Sequence, residues 1–328
     1  MVGATFVRDH GHHPDYWISR EARLAPFVIL RPAHLRRALG LIALVSSAAY
    51  GDARVQLSLG TQYSDGDYGE TVGTRAWVVP FSARLSAGSW SFQASVPYVR
   101  VQGPEFLPEI IDASGGRGSN SGSGGNGSGS SGSSGDGSSG SGGDDGTPPV
   151  TNPPPAGTPR EVSGLGDSSL SATYSIDRIG ATPIYLDVTG RIRFPTGSES
   201  QGLGVGATDY LTLGELGFSG LRAGAFVSGG RRFLGNTGTS LRVDGWQAGA
   251  GAWVALGPHT TLGVNYDWRE ASVRNGIAPA FAESFVAWRL SDVWKVEINA
   301  GAGLSKASAD FAAGFTITWR GRAQRHGG

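Results

Sequence analysis

The sequence predicts an all-β chain, a transmembrane antiparallel up-and-down β-barrel of about twelve strands. Three observations predict it. Twelve short stretches between Ala53 and Trp319 alternate apolar and polar residues. The loops that join them alternate between short and long. No apolar run beyond residue 51 approaches the ~18 residues of a spanning helix, whereas a spanning strand needs only about ten.

The alternation is clearest in Ile184–Phe194. Ile184, Leu186, Val188, Ile192 and Phe194 share one face, and Asp187, Thr189, Arg191 and Arg193 share the other. Successive strand side chains point to opposite faces, so the segment has one apolar and one charged side. Repeated along the chain without helical segments, this suits a closed barrel with lipid outside and a polar lumen. The expected strands are 53–63, 74–86, 89–102, 166–178, 183–195, 208–218, 221–233, 241–255, 260–271, 280–290, 293–305 and 308–320.

Outward faces follow from the same period. They read Trp77, Val79, Phe81, Ala83 and Leu85 in the second strand, and Trp90, Phe92, Ala94, Val96 and Tyr98 in the third. The ninth offers Leu262, Val264, Tyr266 and Trp268, the eleventh Trp294, Val296 and Ile298, and the last Phe311, Phe315, Ile317 and Trp319. Aromatic residues near strand ends fit the girdles at lipid headgroup level. The sixth and seventh strands are rich in glycine, which leaves their register open. Pro80 and Pro97 fall inside strands, where each removes a ladder donor and predicts a bulge or kink.

Five connections are tight, near Ala87-Gly88, Arg178-Gly180, Ser219-Gly220, Gly257-Pro258 and Ser291-Asp292. The alternate ones, 64–73, 103–165, 196–207, 234–240 and 272–279, are longer and polar, and 306–307 is the short exception. Short turns on one side and long loops on the other mark an outer-membrane barrel, with both termini on the short-turn, periplasmic side. That localises the chain to the outer membrane of a Gram-negative bacterium.

Composition limits the alternatives. The 54 glycines among 328 residues far exceed the usual ~7%. Net charge is zero and no basic block is present, so nothing offers an electrostatic footprint for nucleic acid. With no cysteine there are no disulfides or thiolate metal sites. Residues 35–51 read as a secretory signal peptide: Arg36 and Arg37, a short apolar stretch Ala38–Val45, then small residues. Residues 1–34 are expected to be an extension, with translation starting near Val28 or Leu30. Residues 52–320 are the barrel. Within it, 103–163 is read as a disordered extracellular loop, glycine and serine over 114–146 and then proline-rich. An interdomain linker is the alternative, but the segments either side would carry three and nine strands, and neither closes alone.

Several segments resemble one family. They are Tyr63-Ser-Asp-Gly-Asp-Tyr-Gly69, Val78-Val-Pro-Phe81, Phe92-Gln-Ala-Ser-Val-Pro-Tyr98 with Gly103-Pro104, Gly164-Leu-Gly-Asp167, Phe194-Pro-Thr-Gly197, Gly204-Val-Gly-Ala-Thr-Asp-Tyr210 and Tyr266-Asp-Trp-Arg269. Together they resemble a family of proteobacterial outer-membrane barrels often labelled as transporters. That family is distantly similar to the phenol-degradation (MetA-pathway) outer-membrane proteins. The resemblance spans 53–320 and brings no catalytic or binding residues with it. Barrels of this kind end on an aromatic residue in a signal read by the outer-membrane assembly machinery. Gly314, Ile317 and Trp319 fit that signal, although a tail, 321–328, follows.

Beyond the signal segment the histidines are His259, in an expected short turn, and His326, in the tail. A surface hydrolase of the barrel type needs a histidine base on the long-loop side. Ser305 and Asp310 lie on that side without one, so no catalytic, metal or cofactor site is expected. The lumen is expected to be lined by Arg54, Asp187, Arg191, Arg193, Asp267, Arg269, Glu283, Arg289, Lys295 and Glu297. On the lipid face each would cost roughly 2–4 kcal/mol at the midplane. These residues suit either a narrow pore for an unidentified small solute or a salt-bridged, closed interior. The first makes the protein a passive channel. The second makes it an anchor that displays loops, with the lipid bilayer as its partner in either case.

Deleting 321–328 should leave membrane insertion intact, and deleting 311–328 should abolish it. Comparing the two truncations in outer-membrane fractions checks this, and equal levels would contradict it.

Overall fold

The computed structural model describes residues 53–68, 73–103, 160–237 and 242–321. The chain divides into two units, Met1–Ala49 and Tyr50–Gly328. The first unit lies outside the described residues, as do most of 103–163 and the tail beyond residue 321. The second is built from β1 (Arg54–Gly66), β2 (Thr74–Ala87), β3 (Trp90–Gly103), β4 (Arg160–Leu165), β5 (Ser168–Ile176), β6 (Ile184–Phe194) and β7 (Asp209–Ser219). It continues through β8 (Ala223–Phe233), β9 (Gly245–Ala255), β10 (Thr260–Arg269), β11 (Ala280–Arg289), β12 (Trp294–Gly303) and β13 (Phe311–Arg320).

All pairings are antiparallel between chain neighbours, and β1 pairs with β13 from Gln56↔Arg320 to Asp65↔Phe311, which closes the sheet. The barrel has twelve strand positions, because β4 and β5 both pair with β3 and share the fourth.

The fourth position corrects the expectation of one strand over 166–178. Tyr98 pairs with Leu165, but Ser95 pairs with Ser169, so the fourth strand carries one residue more than its partner. That is a bulge at Gly166–Asp167, and it reverses which residues face inward. Its cause lies opposite. Pro97 has no N–H to offer the ladder, and only its carbonyl engages, accepting from Gly166 N at 2.9 Å. At Pro80 the effect is milder. Pairing of β1 with β2 lapses between Leu59↔Phe81 and Gln62↔Val78 without a change of register.

Two further expectations are corrected. A 3-10 turn, Glu199–Gln201, interrupts the β6–β7 connection, where no helical segment was expected. Strand β9 starts at Gly245 rather than 241, because the N–H of Arg242 is held by the Asn236 side chain and that of Val243 by the Ser272 carbonyl. The five tight turns lie where expected, and Gly88 takes the left-handed conformation (φ 57°) that the first requires.

The outer face is apolar and exposed, as at Val227 (58%) and Val264 (57%). Two aromatic belts border it. Trp90, Tyr174, Phe218 and Trp294 lie towards the short turns, and Trp77, Phe194, Tyr210, Phe233, Trp246, Tyr266 and Phe311 towards the long loops. Outward charges appear at or beyond the long-loop belt. Arg231 stacks on Trp246 at 4.9 Å, and Arg75–Asp65 and Arg100–Glu161 form exposed pairs. This is the layering a hydrocarbon slab imposes.

Replacing Val264 by Arg puts a cation in mid-band and should cost about 2–4 kcal/mol. Reversible unfolding in lipid vesicles checks this. A cost near zero would mean that this face does not meet lipid.

Candidate functional site

The register settles which residues share the inner face. From β6, Asp187 faces Glu215 across the ladder, Arg191 faces Leu211 and Arg193 faces Asp209. From β10, Asp267 lies between Gly249 and Phe281. From β11 and β12, Arg289 faces Lys295, Ala287 faces Glu297, and Glu283 faces Gly301. Arg54 and Arg269 share this parity on β1 and β10. By register these ten residues lie on the same face of the sheet as the buried Gln62, Thr261 and Asn299. Asp187, Arg193, Asp267, Glu283, Lys295 and Glu297 are buried, whereas Arg54, at the short-turn end, is exposed.

Burial of charge has to be compensated, and the compensation is visible. Lys295 Nζ donates to Glu297 Oε2 at 3.0 Å. The Glu283 carboxylate accepts from Asn299 at 3.0 Å and from Asn265 at 3.3 Å. Tyr185 Oη donates to Glu215 at 2.8 Å. Room for these side chains comes from glycine on the facing strand. A Cβ on Gly217 would collide with the Tyr185 ring, and one on Gly263 with Phe285.

Several interior groups went unread in the sequence: Arg84, Asp209, Glu215, Arg232, Arg242 and Arg320. Asp209 is the hub of the long-loop end. Its carboxylate accepts from Arg193 and from Arg242 Nη1 (3.0 Å) and Nη2 (2.6 Å), and Gly235 N donates to it at 2.9 Å. The position of Arg193 could have located Asp209, because an inward arginine calls for an acid on the next strand. Nothing in the alternation could have found Arg242, which lies outside any strand.

Three resembling segments converge at the bulge. Asp167 Oδ1 accepts from Gly197 N and Oδ2 from Val205 N, both at 2.9 Å. Thr196 Oγ1 meets Ser168 N at 2.8 Å and Gly166 O at 3.1 Å. Gly164-Leu-Gly-Asp167, Phe194-Pro-Thr-Gly197 and Gly204–Tyr210 thus fasten the β6–β7 loop to the rim. The loop places Leu203 in an apolar cluster with Tyr68, Val78, Val99, Val101, Phe281 and Ala312. The inner face at the long-loop end thus carries an apolar cluster beside the Asp209–Arg193–Arg242 group, where the sequence reading expected a polar lumen.

His259 is exposed in a short turn, at the opposite end from Ser305 and Asp310. Among the described residues no three His, Cys, Asp or Glu side chains gather as a metal site requires. Gly314 faces inward opposite Asn299, and Ile317 and Trp319 face outward opposite Val296 and Trp294.

A closed twelve-stranded barrel with an apolar belt and a charged interior is a porin-like β-barrel of the outer-membrane type. No protein-family model and no curated protein matches the sequence. In fold the chain is similar to the COG4313 outer membrane channel from Pseudomonas putida F1. The TM-score is 0.55 at 12% identity, covering 82% of this chain and 96% of that one. Weaker likenesses include the KdgM porin (0.45, 6%, covering 80% and 98%) and the CymD monoaromatic hydrocarbon channel (0.39, 10%, covering 83% and 88%). At these identities the likeness is one of fold.

Asp209→Ala would take the shared carboxylate away from two buried guanidiniums and should cost about 3–5 kcal/mol. Asp65→Ala, which breaks an exposed pair, should cost less than about 1 kcal/mol. Chemical unfolding of both variants in vesicles checks the contrast.

Proposed function

We propose that the protein is a passive outer-membrane channel that carries small solutes along a narrow, charged lumen. Inward parity of charged residues on so many strands carries this reading. A barrel that served only as an anchor could fill its interior with apolar side chains, without the desolvation cost of buried ions. Twelve strands enclose more space than the eight that side chains fill completely, and less than the sixteen of a wide porin. The fold likeness to a solved outer-membrane channel supports the same reading. The solute passes without cofactor or energy input, sorted by the charges it meets.

One observation favours a second reading, a closed barrel that anchors and displays its loops. Interior side chains are more buried than exterior ones, with Phe281 at 1% and Asp187 at 3%.

Planar-bilayer recording on protein purified from membranes separates the two. A channel gives discrete conductance steps, and Arg191→Glu shifts their ion selectivity. A silent bilayer, with insertion verified, would favour the closed barrel.

A further inference from the structure

The β6–β7 loop enters the barrel mouth. Its 3-10 turn, Glu199–Gln201, ends on Gly202 in the left-handed conformation (φ 73°). The N–H groups of Gly202 and Leu203 donate to the Glu199 and Ser198 carbonyls, both at 2.8 Å. That reversal takes Leu203 out of solvent, where it is 2% exposed. It joins an apolar cluster with the wall residues Val78, Val99, Val101, Phe281 and Ala312. The strands bearing these residues run from β3 through β2, β1 and β13 to β11, whereas β6 and β7, which bear the loop, lie outside that arc. The wall makes room at Gly164, where a Cβ would stand only 2.7 Å from Leu203 Cδ1. At this level the bore is therefore occupied by a side chain that comes from a loop and not from a strand.

Asp167 holds that loop by both of its limbs. Oδ1 accepts from Gly197 N on the way in, and Oδ2 from Val205 N on the way out, each at 2.9 Å. Asp167 and Val205 are themselves buried, and hydrogen bonds to a carboxylate are stronger than those between neutral groups. Thr196 Oγ1 ties the incoming limb to Ser168 N and Gly166 O. Elsewhere on this rim the interior is ionic, built from Asp209, Arg193 and Arg242. An apolar stretch of pore wets poorly, and such a constriction is a barrier to water and ions.

We propose that Leu203 forms the constriction of the lumen and limits the size of solute that passes, and that Asp167 is the positioning residue that keeps it there. Both clauses rest on the channel reading. Leu203 acts by filling the bore, and Asp167 acts only through Leu203.

The test is single-channel recording on full-length protein purified from membranes, with folding verified by heat-modifiable mobility. Leu203→Ser and Asp167→Asn should each raise conductance at least about twofold, since the least wetted section limits a pore. The largest polyethylene glycol that enters the lumen should grow in step. Leu256→Ser, at an exposed site in a short turn, should leave both readouts unchanged. The double variant Asp167→Asn/Leu203→Ser should match Leu203→Ser alone, the non-additivity expected of a residue that acts through another.

A wild type that is silent while Leu203→Ser conducts also supports the constriction. Wild-type steps that Leu203→Ser leaves unchanged overturn it and leave the channel standing. No gain from Asp167→Asn, or a gain that adds to that of Leu203→Ser, overturns the positioning role. Thr196→Val, which loosens the same loop at a second point, replaces Asp167→Asn if that variant does not fold. Silence of every form, with insertion verified, overturns the channel reading and the constriction with it.

Discussion

Closure of the hydrogen-bond ladder is the constraint on which the rest depends. In lipid an unpaired backbone N–H or C=O costs several kcal/mol, so a spanning sheet must have no edge. Closure through β1 and β13 then locks every register to every other. Because side chains alternate with a period of two, a slip of one residue would turn Asp187, Arg191 and Arg193 out to lipid. Among the described strands, parity reverses at the bulge at Gly166–Asp167. It lies opposite Pro97, where the ladder already lacks a donor, and beyond it Asp167 leaves the sheet to hold the β6–β7 loop. A local defect in the ladder thus becomes the fastening point of a loop.

The interior follows from a second constraint, that a charged side chain out of water needs a partner within reach. Strand pairing brings Arg193 to Asp209 and Asp187 to Glu215. The first pair is complementary. The second sets two acids together, and the Tyr185 hydroxyl donating to Glu215 relieves one of them. Glycine has a specific role in this packing. Gly217 and Gly263 let Tyr185 and Phe285 lie flat against the facing strand, so bulky side chains fit a small bore. The high glycine content is therefore partly a packing requirement of the lumen.

Much of this was legible in the sequence, for a physical reason. Where one face meets lipid and the other meets charge, the alternation is strong, as in β6, and strand, face and inward residues can all be read from it. Reading became harder where the contrast fades. Strands β2 and β3 place Val78, Val99 and Val101 inward, so both of their faces are apolar at the long-loop end and the internal cluster gave no signal. Strands β7 and β8 carry glycine on both faces, which hid Glu215 and Arg232 until pairing with β6 and β9 fixed them. Arg242 and Leu203 come from irregular segments, whose inward course depends on contacts distant in sequence. Asp167 showed only as part of a resembling segment, and its role needed the bulge to be seen.

The two ends of the barrel therefore differ in kind. At the long-loop end an apolar cluster lies beside buried ionic groups, and carboxylates are used structurally, with Asp167 and Asp209 engaged by backbone and guanidinium donors. At the short-turn end polar groups dominate, and cations outnumber carboxylates among the described inward residues of β11–β13, β1 and β2. Cations thus gather on the β11–β13, β1 and β2 side of the short-turn end, with Asp187 within electrostatic reach of Arg84, while Asp167 and Asp209 fasten loops at the other end.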